Sequence, residues 1–545
     1  MTDRKPSRLS RREWLKSTSA LGVVAASSNL LGCDDSLPPL PTDLPTDPYT
    51  GAPGPASLFT HGVASGDPLE DGFVIWTRVT PADLGSTVEV FYEVALDPDF
   101  VDRVEAGTTM TGAAVDFTAK LDVRGLVWGR DYYYRFSAQG RTSMVGRARC
   151  APKGGEAKAL RFAVTSCASY GHGYFHAYRR IAEREDLDAV LHLGDYIYEY
   201  GTGEYGSVRE YEPAHEIVTL ADYRMRFAQY RRDPDLQALH QQHPVIPIWD
   251  DHESANDSYE DGAENHQPDT EGTWTARKQA ARQAYFEWMP IRDPGMQRIY
   301  RTLRYGNLAD IVLLDTRLEG RDLQFGSTSE LPGEAASRSL LGAEQEAWLD
   351  AELEQSEARW VILAQQVMVA QLSLSGGSPF NLDQWDGYPG ARSRLLSSIR
   401  THAAGRTVVL TGDIHTSWVG HLVDDPYAEG VDPTQDAAAV EFVTTSVTSP
   451  GIAAGNLAER IAAGIVEQSP HLEYVQLSRK GYLVLEVTSG KMHADYFFVA
   501  GILPGEDAEE FAVGFDTQRG KSNLVRREEP RADRIGPALA PSPAV

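Results

Sequence analysis

The chain has 545 residues, of which 42% are hydrophobic, so it can build more than one ordinary domain core. Its formal net charge of −27 argues against binding to nucleic acids, because a phosphate backbone requires a basic protein face. Three cysteines are too few for a disulfide scaffold, and no stretch reaches the ~18 uninterrupted apolar residues of a membrane-spanning helix.

Residues 1–33 have the features of an export signal. Arg11 and Arg12 precede a short apolar run, Ser19–Leu31, which is typical of a twin-arginine signal peptide. The segment that ends at Cys33 resembles a bacterial lipobox, which would place a lipid on that cysteine. We therefore expect export by the twin-arginine machinery and a lipid anchor at the outer face of the cytoplasmic membrane, in the periplasm or at the cell surface. An amphipathic first helix with incidental arginines is the alternative.

Residues 34–56 form a proline-rich linker that we expect to be extended. In the next segment, residues 57–152, short strands of alternating polarity are separated by Gly, Pro and Asp. The clearest are Gly72–Trp76, Val88–Tyr92 and Tyr132–Phe136. This pattern predicts an antiparallel β-sandwich. The segment Leu126–Tyr132 resembles the tyrosine corner of fibronectin type III domains, and structural support is its expected role.

From residue 158 to residue 510, strands that are apolar throughout alternate with helices, which predicts an α/β domain with sheets covered on both faces. The predicted strands are Leu160–Ser166, Ala189–Gly194, Val245–Trp249, Asp310–Leu314, Trp360–Gln365 and Thr407–Thr411. The predicted helices include Phe175–Arg184, Thr275–Trp288 and Ala343–Glu354. Residues 511–545 are predicted to be a C-terminal tail, and its polar, proline-rich end from Glu528 is expected to be disordered.

Chemically active side chains follow the end of each of these six strands. They are, in chain order, Cys167, Asp195, Asp250-Asp251-His252-Glu253, Asp315-Thr316-Arg317, Gln365-Gln366 and Asp413-Ile414-His415. In α/β folds the ligand binds at the carboxyl ends of the strands. We therefore expect these side chains to converge on one site.

Two of the motifs suit metal binding. A carboxylate at a strand tip, as at Asp195, can bridge two cations, and the phenolate of Tyr198 is a hard ligand suited to iron. Gly194 allows the backbone to turn sharply in front of them. Asp413 and His415 leave one face of an extended segment. Taken alone, each motif also fits a structural role, such as a helix cap for Asp195 or a core histidine for His415.

The order of these motifs resembles that of the PhoD-like alkaline phosphatase and phosphodiesterase family of metallophosphoesterases, from about Phe59 to about Val499. The motifs that carry the resemblance are Gly62–Pro68, Ser166-Cys167, Gly194–Gly201, Trp249–Glu253, Leu314–Arg317, Asp383–Arg392 and Leu410–Trp418. The resemblance implies a fibronectin-III-like β-sandwich followed by a four-layer α/β/β/α metallophosphoesterase domain. It implies an alkaline phosphatase acting on small phosphate esters, with a phosphodiesterase or phospholipase D-type hydrolase as the alternative.

The resemblance also implies the cofactors Fe³⁺ and one or two Ca²⁺, with a Zn²⁺ or Mn²⁺ pair as the alternative. The implied ligands of the ferric ion are Cys167, Asp195, Tyr198 and His415. Asp195 would bridge to calcium, and Asp251 and Asp413 would complete the calcium site, because calcium prefers oxygen ligands. Further candidates for metal or substrate binding are Asp250, Asn256, Asp257, Gln365 and Gln366.

By the same resemblance, His252 matches the histidine that contacts the scissile phosphate. The implied reaction is in-line attack by a metal-activated hydroxide or oxide, with His252 donating to the leaving group or to a phosphoryl oxygen. Arg317 is either a phosphate clamp or a partner in a salt bridge with Asp315 or another local acid. The sequence leaves two further alternatives open, a Cys150–Cys167 disulfide and a non-catalytic surface lipoprotein that binds through the sandwich.

Overall fold

A computed structural model of the chain describes residues 40–292, 295, 298–331, 337–373 and 379–542. The described residues from Pro41 onwards form one compact unit. The predicted export signal, with Arg11, Arg12 and Cys33, lies outside the described residues. Among the helices that are described, none is long and apolar enough to cross a membrane.

The N-terminal region is the expected β-sandwich. Its strands are β1 Val63–Leu69, β2 Gly72–Arg78, β3 Val88–Ala95, β4 Arg103–Thr111, β5 Thr118–Arg124, β6 Asp131–Ala138, β7 Arg141–Thr142 and β8 Gly146–Arg149. Strands β1, β2 and β5 form one layer, and β3, β4, β6, β7 and β8 form the other. Their inward-facing side chains, such as Phe73 and Tyr134, share one core. The Tyr132 hydroxyl donates to Val127 O (3.0 Å), so the tyrosine corner has the structural role expected of it.

One layer of the sandwich is not separate from the α/β domain. Strand β1 pairs in parallel with a strand of that domain, Pro244–Pro247, with Ser65 opposite Pro244. The Trp76 indole also donates to Glu287 O (2.8 Å) across the same junction. The sequence boundary near residue 152 therefore marks a change of pattern but no break in the sheet.

The α/β domain contains two sheets. Its strands are β9 Ala159–Thr165, β10 Ala189–His192, β11 Pro244–Pro247, β12 Arg301–Tyr305, β13 Ala309–Leu313, β14 Trp360–Ala364, β15 Thr407–Thr411, β16 Ser417–Leu422, β17 Ala439–Val443, β18 Leu472–Gln476, β19 Gly481–Thr488, β20 Lys491–Val499, β21 Glu509–Gln518 and β22 Val525–Arg527. The larger sheet has the order β22-β21-β20-β19-β9-β10-β11-β1-β2-β5, and the smaller has the order β12-β13-β14-β15-β17-β16-β18. Within these sheets, β9, β10 and β11 are parallel to one another, as are β13, β14, β15 and β17.

Helices cover the outer faces of both sheets. They are α1 His176–Ala182, α2 Leu220–Tyr230, α3 Pro234–Gln242, α4 Pro268–Glu271, α5 Trp274–Trp288, α6 Gly342–Gln355, α7 Pro389–His402, α8 Pro433–Asp436 and α9 Gly455–Gln468. Local signals explain several starts: Thr219 and Asp222 form a capping box at α2, and Asp233 caps α3. Phe162 of β9 and Ile362 of β14 share the core between the sheets, and Leu396 of α7 belongs to the core outside the smaller sheet. The resulting layers are helix, sheet, sheet and helix, as the resemblance implies.

The C-terminal segment differs from the predicted disordered tail. Strands β21 and β22 extend the edge of the larger sheet, and residues 528–542 then lie along the protein surface. Arg531 donates to Glu486 (3.0 Å), and Arg534 donates to Asp188 (3.0 Å). The Tyr133 hydroxyl donates to Ala538 O (2.7 Å). Expecting disorder from polarity alone was wrong up to residue 542, because these arginines are the partners of buried acids in the body of the protein.

Candidate metal centre

The carboxyl ends of strands from both sheets meet at one edge of the α/β domain. A bridge pairs Ser166, just after β9 of the larger sheet, with Ser446, just after β17 of the smaller one. Three overlapping groups of metal-ligand side chains lie there, each with ligand atoms within 4.8 Å of one another. They are Cys167, Asp195 and His415; Asp195, Asp251 and His252; and Asp250, Asp251 and Asp413. Because Asp195 and Asp251 each belong to two groups, the side chains form one continuous cluster.

Tyr198 joins the group that contains Cys167. Its hydroxyl donates to Asp195 Oδ2 (2.8 Å) and lies 3.2 Å from His415 Nε2. His415 Nδ1 donates to Pro450 O (3.1 Å), which leaves Nε2 as the nitrogen with its lone pair directed toward the cluster. A thiol, a phenol, a carboxylate and an imidazole, carried by the ends of three strands, therefore border one small volume.

The backbone at this cluster is strained. Cys167, Asp195, Asp413 and His415 have φ angles of 63°, 55°, 60° and 60°, which lie in the left-handed region. That conformation costs an L-residue roughly 1–3 kcal/mol, and such residues concentrate at functional sites. Gly194 has a φ of 105°, and a Cβ there would lie only 2.4 Å from the Cβ of Asp250. Only glycine fits at this turn, which agrees with the role inferred for it from the sequence.

The three acids Asp250, Asp251 and Asp413 form the other end of the cluster. Burial raises the pKa of Asp250 and of Asp413 well above the ordinary value, and neighbouring carboxylates add to both shifts while Arg317 opposes them. Burial alone would also raise the pKa of Asp251, but the charges of Arg317 and His252 lower it. Carboxylates packed this closely can all ionise only when cations lie between them.

Arg317 provides part of that positive charge. Its side chain is completely buried, and its guanidinium donates to Asp250 Oδ1 (2.5 Å), Asp413 Oδ1 (2.8 Å) and Asp383 Oδ2 (2.7 Å). Asp315 contributes only by accepting from the backbone N–H of Arg317 (2.9 Å). The geometry therefore favours the ion-pair interpretation of Arg317 over the phosphate clamp, with more distant acids as partners instead of Asp315.

His252 is held by a residue that sequence reasoning missed. Its Nδ1 donates to Glu199 Oε2 (2.7 Å), and Glu199 is completely buried. Glu199 also accepts from Asn256 N (2.7 Å) and Asn265 Nδ2 (3.0 Å). Burial opposes a charged imidazole, but Glu199, Asp195 and Asp251 raise the pKa of His252 well above the ordinary value. Glu199 lies within the Gly194–Gly201 motif, directly after Tyr198, and that position is the signal that could have identified it.

Two further acids organise the cluster. Glu253 accepts from the backbone N–H groups of Asp195 (3.1 Å), Tyr196 (2.5 Å) and Asp250 (2.8 Å), so it ties the ends of β10 and β11 together. Asp383 accepts from Arg317 and Arg321. Both residues lie in motifs that point to the family, but Asp195, Tyr196, Arg317 and Arg321 are distant from them in sequence, so only the fold shows these contacts.

The four remaining candidates for metal or substrate binding fall into two pairs. The Gln365 amide donates to Thr411 Oγ1 (2.6 Å) and its carbonyl accepts from Trp385 (3.1 Å), while Gln366 donates to Trp249 O (2.7 Å) and accepts from Thr316 Oγ1 (2.6 Å). Both amides are thus engaged in bonds that join strand ends. The Asn256 amide donates to Glu264 (3.1 Å), and Asp257 accepts from Gln324 (2.8 Å), so both lie at the rim of the cluster.

Cys150 and Cys167 are both free, so the alternative of a disulfide between them is wrong. Cys150 packs in the core of the sandwich, whereas Cys167 lies in the metal cluster. Burial raises the pKa of the Cys167 thiol well above its ordinary value, and Asp195 adds to the shift. A bound cation would reverse that shift, because metal coordination deprotonates a thiol.

The residues present fit the metals that the resemblance implies. Asp195 Oδ1 and Asp250 Oδ2 are buried and have no hydrogen-bond partner among the described residues, and a buried carboxylate oxygen left in that state is costly unless a cation binds it. The thiol and phenol lie at the Cys167 end and the carboxylates at the Asp413 end. Soft and phenolic donors suit iron, and carboxylate oxygens suit calcium.

Comparison with known proteins agrees with this geometry. The family model described as PhoD-like phosphatase matches residues 162–496, and the model of its N-terminal domain matches residues 47–152. Alkaline phosphatase D of Bacillus subtilis (strain 168) is 40% identical over 489 residues, which cover 86% of this chain and 82% of the relative. A solved structure titled "Structure of PhoD" has a TM-score of 0.80 at 36% identity, covering 90% of this chain and 95% of that one.

A more distant likeness concerns the fold alone. The purple acid phosphatase PPD1 from seeds of yellow lupin (Lupinus luteus) superimposes with a TM-score of 0.52 at 13% identity. The match covers 84% of this chain and 74% of that one.

Proposed function

We propose, from the premise that this chain belongs to the PhoD-like phosphatase family, that its reaction depends on an iron ion and calcium ions held in the cluster just described. The chain is a phosphoric ester hydrolase, similar to alkaline phosphatase D, so the alternative of a non-catalytic binding lipoprotein is wrong. Iron would be held by Cys167, Asp195, Tyr198 and His415. Calcium would be held by Asp195, Asp251 and Asp413, with Asp250 beside them.

The observation that carries this proposal is the convergence of donors on a strained backbone. Ligand atoms from four strand ends lie within 4.8 Å of one another in overlapping groups, and four of the residues adopt left-handed φ angles. A structural ion-pair network does not require a thiol, a phenol and an imidazole around one carboxylate. Donors of this variety at one position are what a ferric site uses.

The chemistry divides between the cations and the protein. When bound, the cations would polarise the phosphoryl group and lower the pKa of the attacking water. His252 is fixed through Nδ1 by Glu199, so its Nε2 is the atom that can donate a proton to the leaving oxygen. Arg317 donates to both Asp250 and Asp413, so it fixes the distance between their carboxylates.

Elemental analysis and visible absorption of the purified protein test the proposal. Active protein should contain iron and calcium and should be coloured, because thiolate and phenolate ligands of ferric iron absorb visible light. Tyr198→Phe and Cys167→Ser should each change the absorption band and lower phosphatase activity. Cys150→Ser is the matched control, because that cysteine is buried in the sandwich core, away from the cluster. A fully active, colourless protein without iron would replace the iron–calcium assignment by a zinc or manganese pair.

Export and anchoring are a separate part of the proposal. The support is the Arg11-Arg12 pair before a short apolar run and the lipobox-like segment that ends at Cys33. The proline-rich residues that follow are without helix or strand from residue 40 to residue 55. The later ones already bond to the sandwich, because Arg103 donates to Pro45 O (3.0 Å) and Gly54 N donates to Gln139 O (2.8 Å). The proline-rich residues ahead of Pro45 would be the spacer that lets a lipid-anchored enzyme act at a distance from the membrane surface.

A further inference from the structure

Two tyrosines lie beside His252 on the segment that follows Tyr198. The ring centroid of Tyr200 is 5.5 Å from the His252 ring, and that of Tyr205 is 6.2 Å from it. The two tyrosine rings are 5.1 Å apart, and Tyr205 stacks on Tyr198 at 5.4 Å with an interplanar angle of 20°. We call Tyr200 and Tyr205 the aromatic wall.

The contacts of His252 show what this wall faces. Nδ1 is bound to Glu199, so Nε2 is the nitrogen that remains for the substrate. In the proposed reaction the leaving oxygen must lie within hydrogen-bond distance of Nε2. The organic group attached to that oxygen then extends beside the imidazole ring, within reach of the aromatic wall.

The fold does not use the hydroxyls of the wall. Nearby tyrosines are anchored by theirs: Tyr196 lies 2.9 Å from His240 Nε2, and Tyr211 lies 3.0 Å from Ser169 Oγ. Within the described residues, the Tyr200 and Tyr205 hydroxyls have no hydrogen-bond partner, and both side chains are partly exposed. They are therefore available to a ligand.

The wall is held in place by close backbone packing. Gly206 has a φ of 85°, and a Cβ there would lie 2.5 Å from the carbonyl carbon of Gly171. Val208 N donates to Gly171 O (2.8 Å), and the ring of His172 contacts Tyr205 edge-on at 4.6 Å. Tyr205 is thus positioned before any substrate arrives, which limits the entropy lost when a ring packs against it.

We propose that Tyr200 and Tyr205 determine leaving-group specificity and select phosphate esters whose leaving group is aromatic. A flat leaving group can make offset-stacked or edge-to-face contacts with these rings, and a saturated polyol cannot. The inference rests on the proposed phosphatase function and names its preferred class of substrate.

The test compares phenyl phosphate with glycerol 3-phosphate on the metal-loaded enzyme. The measured quantity is the ratio of the two kcat/KM values, for the wild type and for Tyr200→Leu, Tyr205→Leu and Tyr205→Phe. Leucine keeps apolar bulk without a ring, and phenylalanine keeps the ring without the hydroxyl. Each leucine variant should lower the ratio by about twofold to tenfold, the scale of one aromatic pair, and Tyr205→Phe should retain it. Because each variant is compared on both substrates, the intrinsic reactivity of the two leaving groups cancels.

Tyr174→Leu is the matched control, because Tyr174 is exposed and stacks on His176 instead of His252. Its ratio should equal that of the wild type. A ratio that stays at the wild-type value in both leucine variants would overturn the inference, and an equal loss of activity on both substrates would show that the rings have a structural role. If Tyr205→Leu disturbs Tyr198, the visible absorption band of the iron site will change. In that case the ratio measured for Tyr200→Leu is the test of the inference. Absence of hydrolysis of both substrates by the metal-loaded wild type would instead overturn the proposed function, and the inference with it.

Discussion

Replacing Glu199 by glutamine tests how this site controls its histidine. Glu199 is completely buried and accepts three hydrogen bonds, from His252 Nδ1 at 2.7 Å, Asn256 N at 2.7 Å and Asn265 Nδ2 at 3.0 Å. Glutamine keeps the shape of the side chain but removes its charge. It also replaces one acceptor oxygen with an NH₂ group, so at least one of the three donors loses its acceptor.

The size of the effect follows from the contact. Burial disfavours the charged imidazole, but Glu199, Asp195 and Asp251 together raise the pKa of His252 well above the ordinary value. Bound cations would share the charges of Asp195 and Asp251, so Glu199 is the partner whose effect persists in the loaded enzyme. A hydrogen bond to a charged group contributes about 1.5–3 kcal/mol, and one pKa unit corresponds to 1.36 kcal/mol. We therefore expect Glu199→Gln to lower the pKa of His252, because the charged imidazole loses a hydrogen bond of about 1.5–3 kcal/mol.

The pH dependence of kcat measures this change. If protonated His252 is the general acid, activity is lost as the pH rises through its pKa. A lower pKa of His252 in Glu199→Gln should move the alkaline limb of the profile to lower pH. The His252–Glu199 ion pair also stabilises the folded protein in a pH-dependent way. This stabilisation is present below the pKa of histidine in the unfolded state and is lost as the pH rises through the pKa in the folded state.

Glu264→Gln is the matched control, since Glu264 is an exposed acid that contacts Asn256 without touching His252. It should leave the alkaline limb where it is in the wild type. A Glu199→Gln enzyme with full metal content and an unshifted alkaline limb would refute the role assigned to Glu199 and the assignment of His252 as the acid.

Three further outcomes are expected. Gly194→Ala should destabilise the protein by at least about 2 kcal/mol in urea unfolding, because it adds both backbone strain and a clash with Asp250. Gly203→Ala is the control, because Gly203 has a φ of 83° and open space around it, so alanine adds strain alone. Equal losses of stability in the two variants would contradict the crowding argument. Burial lowers the pKa of His471 to about 4, so between pH 6.5 and 4 the unfolded state binds more protons than the folded state, and stability falls as the pH falls. His471→Gln should reduce this slope of stability against pH by up to about 1.4 kcal/mol per pH unit, and an unchanged slope would refute the argument. Replacing Arg11 and Arg12 by lysine should retain the precursor in the cytoplasm, and Cys33→Ala should abolish lipid labelling; a lipid-labelled Cys33→Ala protein would exclude the anchor at that residue.

Most of the fold was accessible from the sequence because buried parallel strands are continuous apolar runs. The predicted strand Thr407–Thr411 matches β15 residue for residue, and Trp360–Gln365 exceeds β14 by one residue. What the sequence could not show is the pairing between β1 and β11, which are about 180 residues apart. β1 contains Ser65, Gly66 and Asp67, so it lacks the continuous apolar pattern of the other buried strands. Nothing local distinguishes a sandwich strand that faces its own domain from one that joins a neighbouring sheet.

The site was predictable to the extent that its residues follow strand ends. Cys167, Asp195, Asp251, Asp413 and His415 converge as expected, because the carboxyl ends of parallel strands share an edge. Position after a strand was not sufficient for Gln365, whose amide bonds to Thr411 and Trp385. Glu199 escaped notice because its importance lies in a contact with His252, 53 residues away.

The local balance of charge explains how a chain with a net charge of −27 can bind an anionic substrate. Around Arg317 lie the carboxylates of Asp250, Asp251, Asp383 and Asp413, and Arg321 adds a second guanidinium at Asp383. Two positive side chains face four acids, and the acids at the Asp195 end add to the excess. Buried charge of one sign must be neutralised, and the protein supplies no further arginine to these carboxylates among its described ion pairs. These acids make the surface potential unfavourable for phosphate, but they also concentrate cations at one point. Those cations attract the phosphate of the substrate at a distance of a few ångströms.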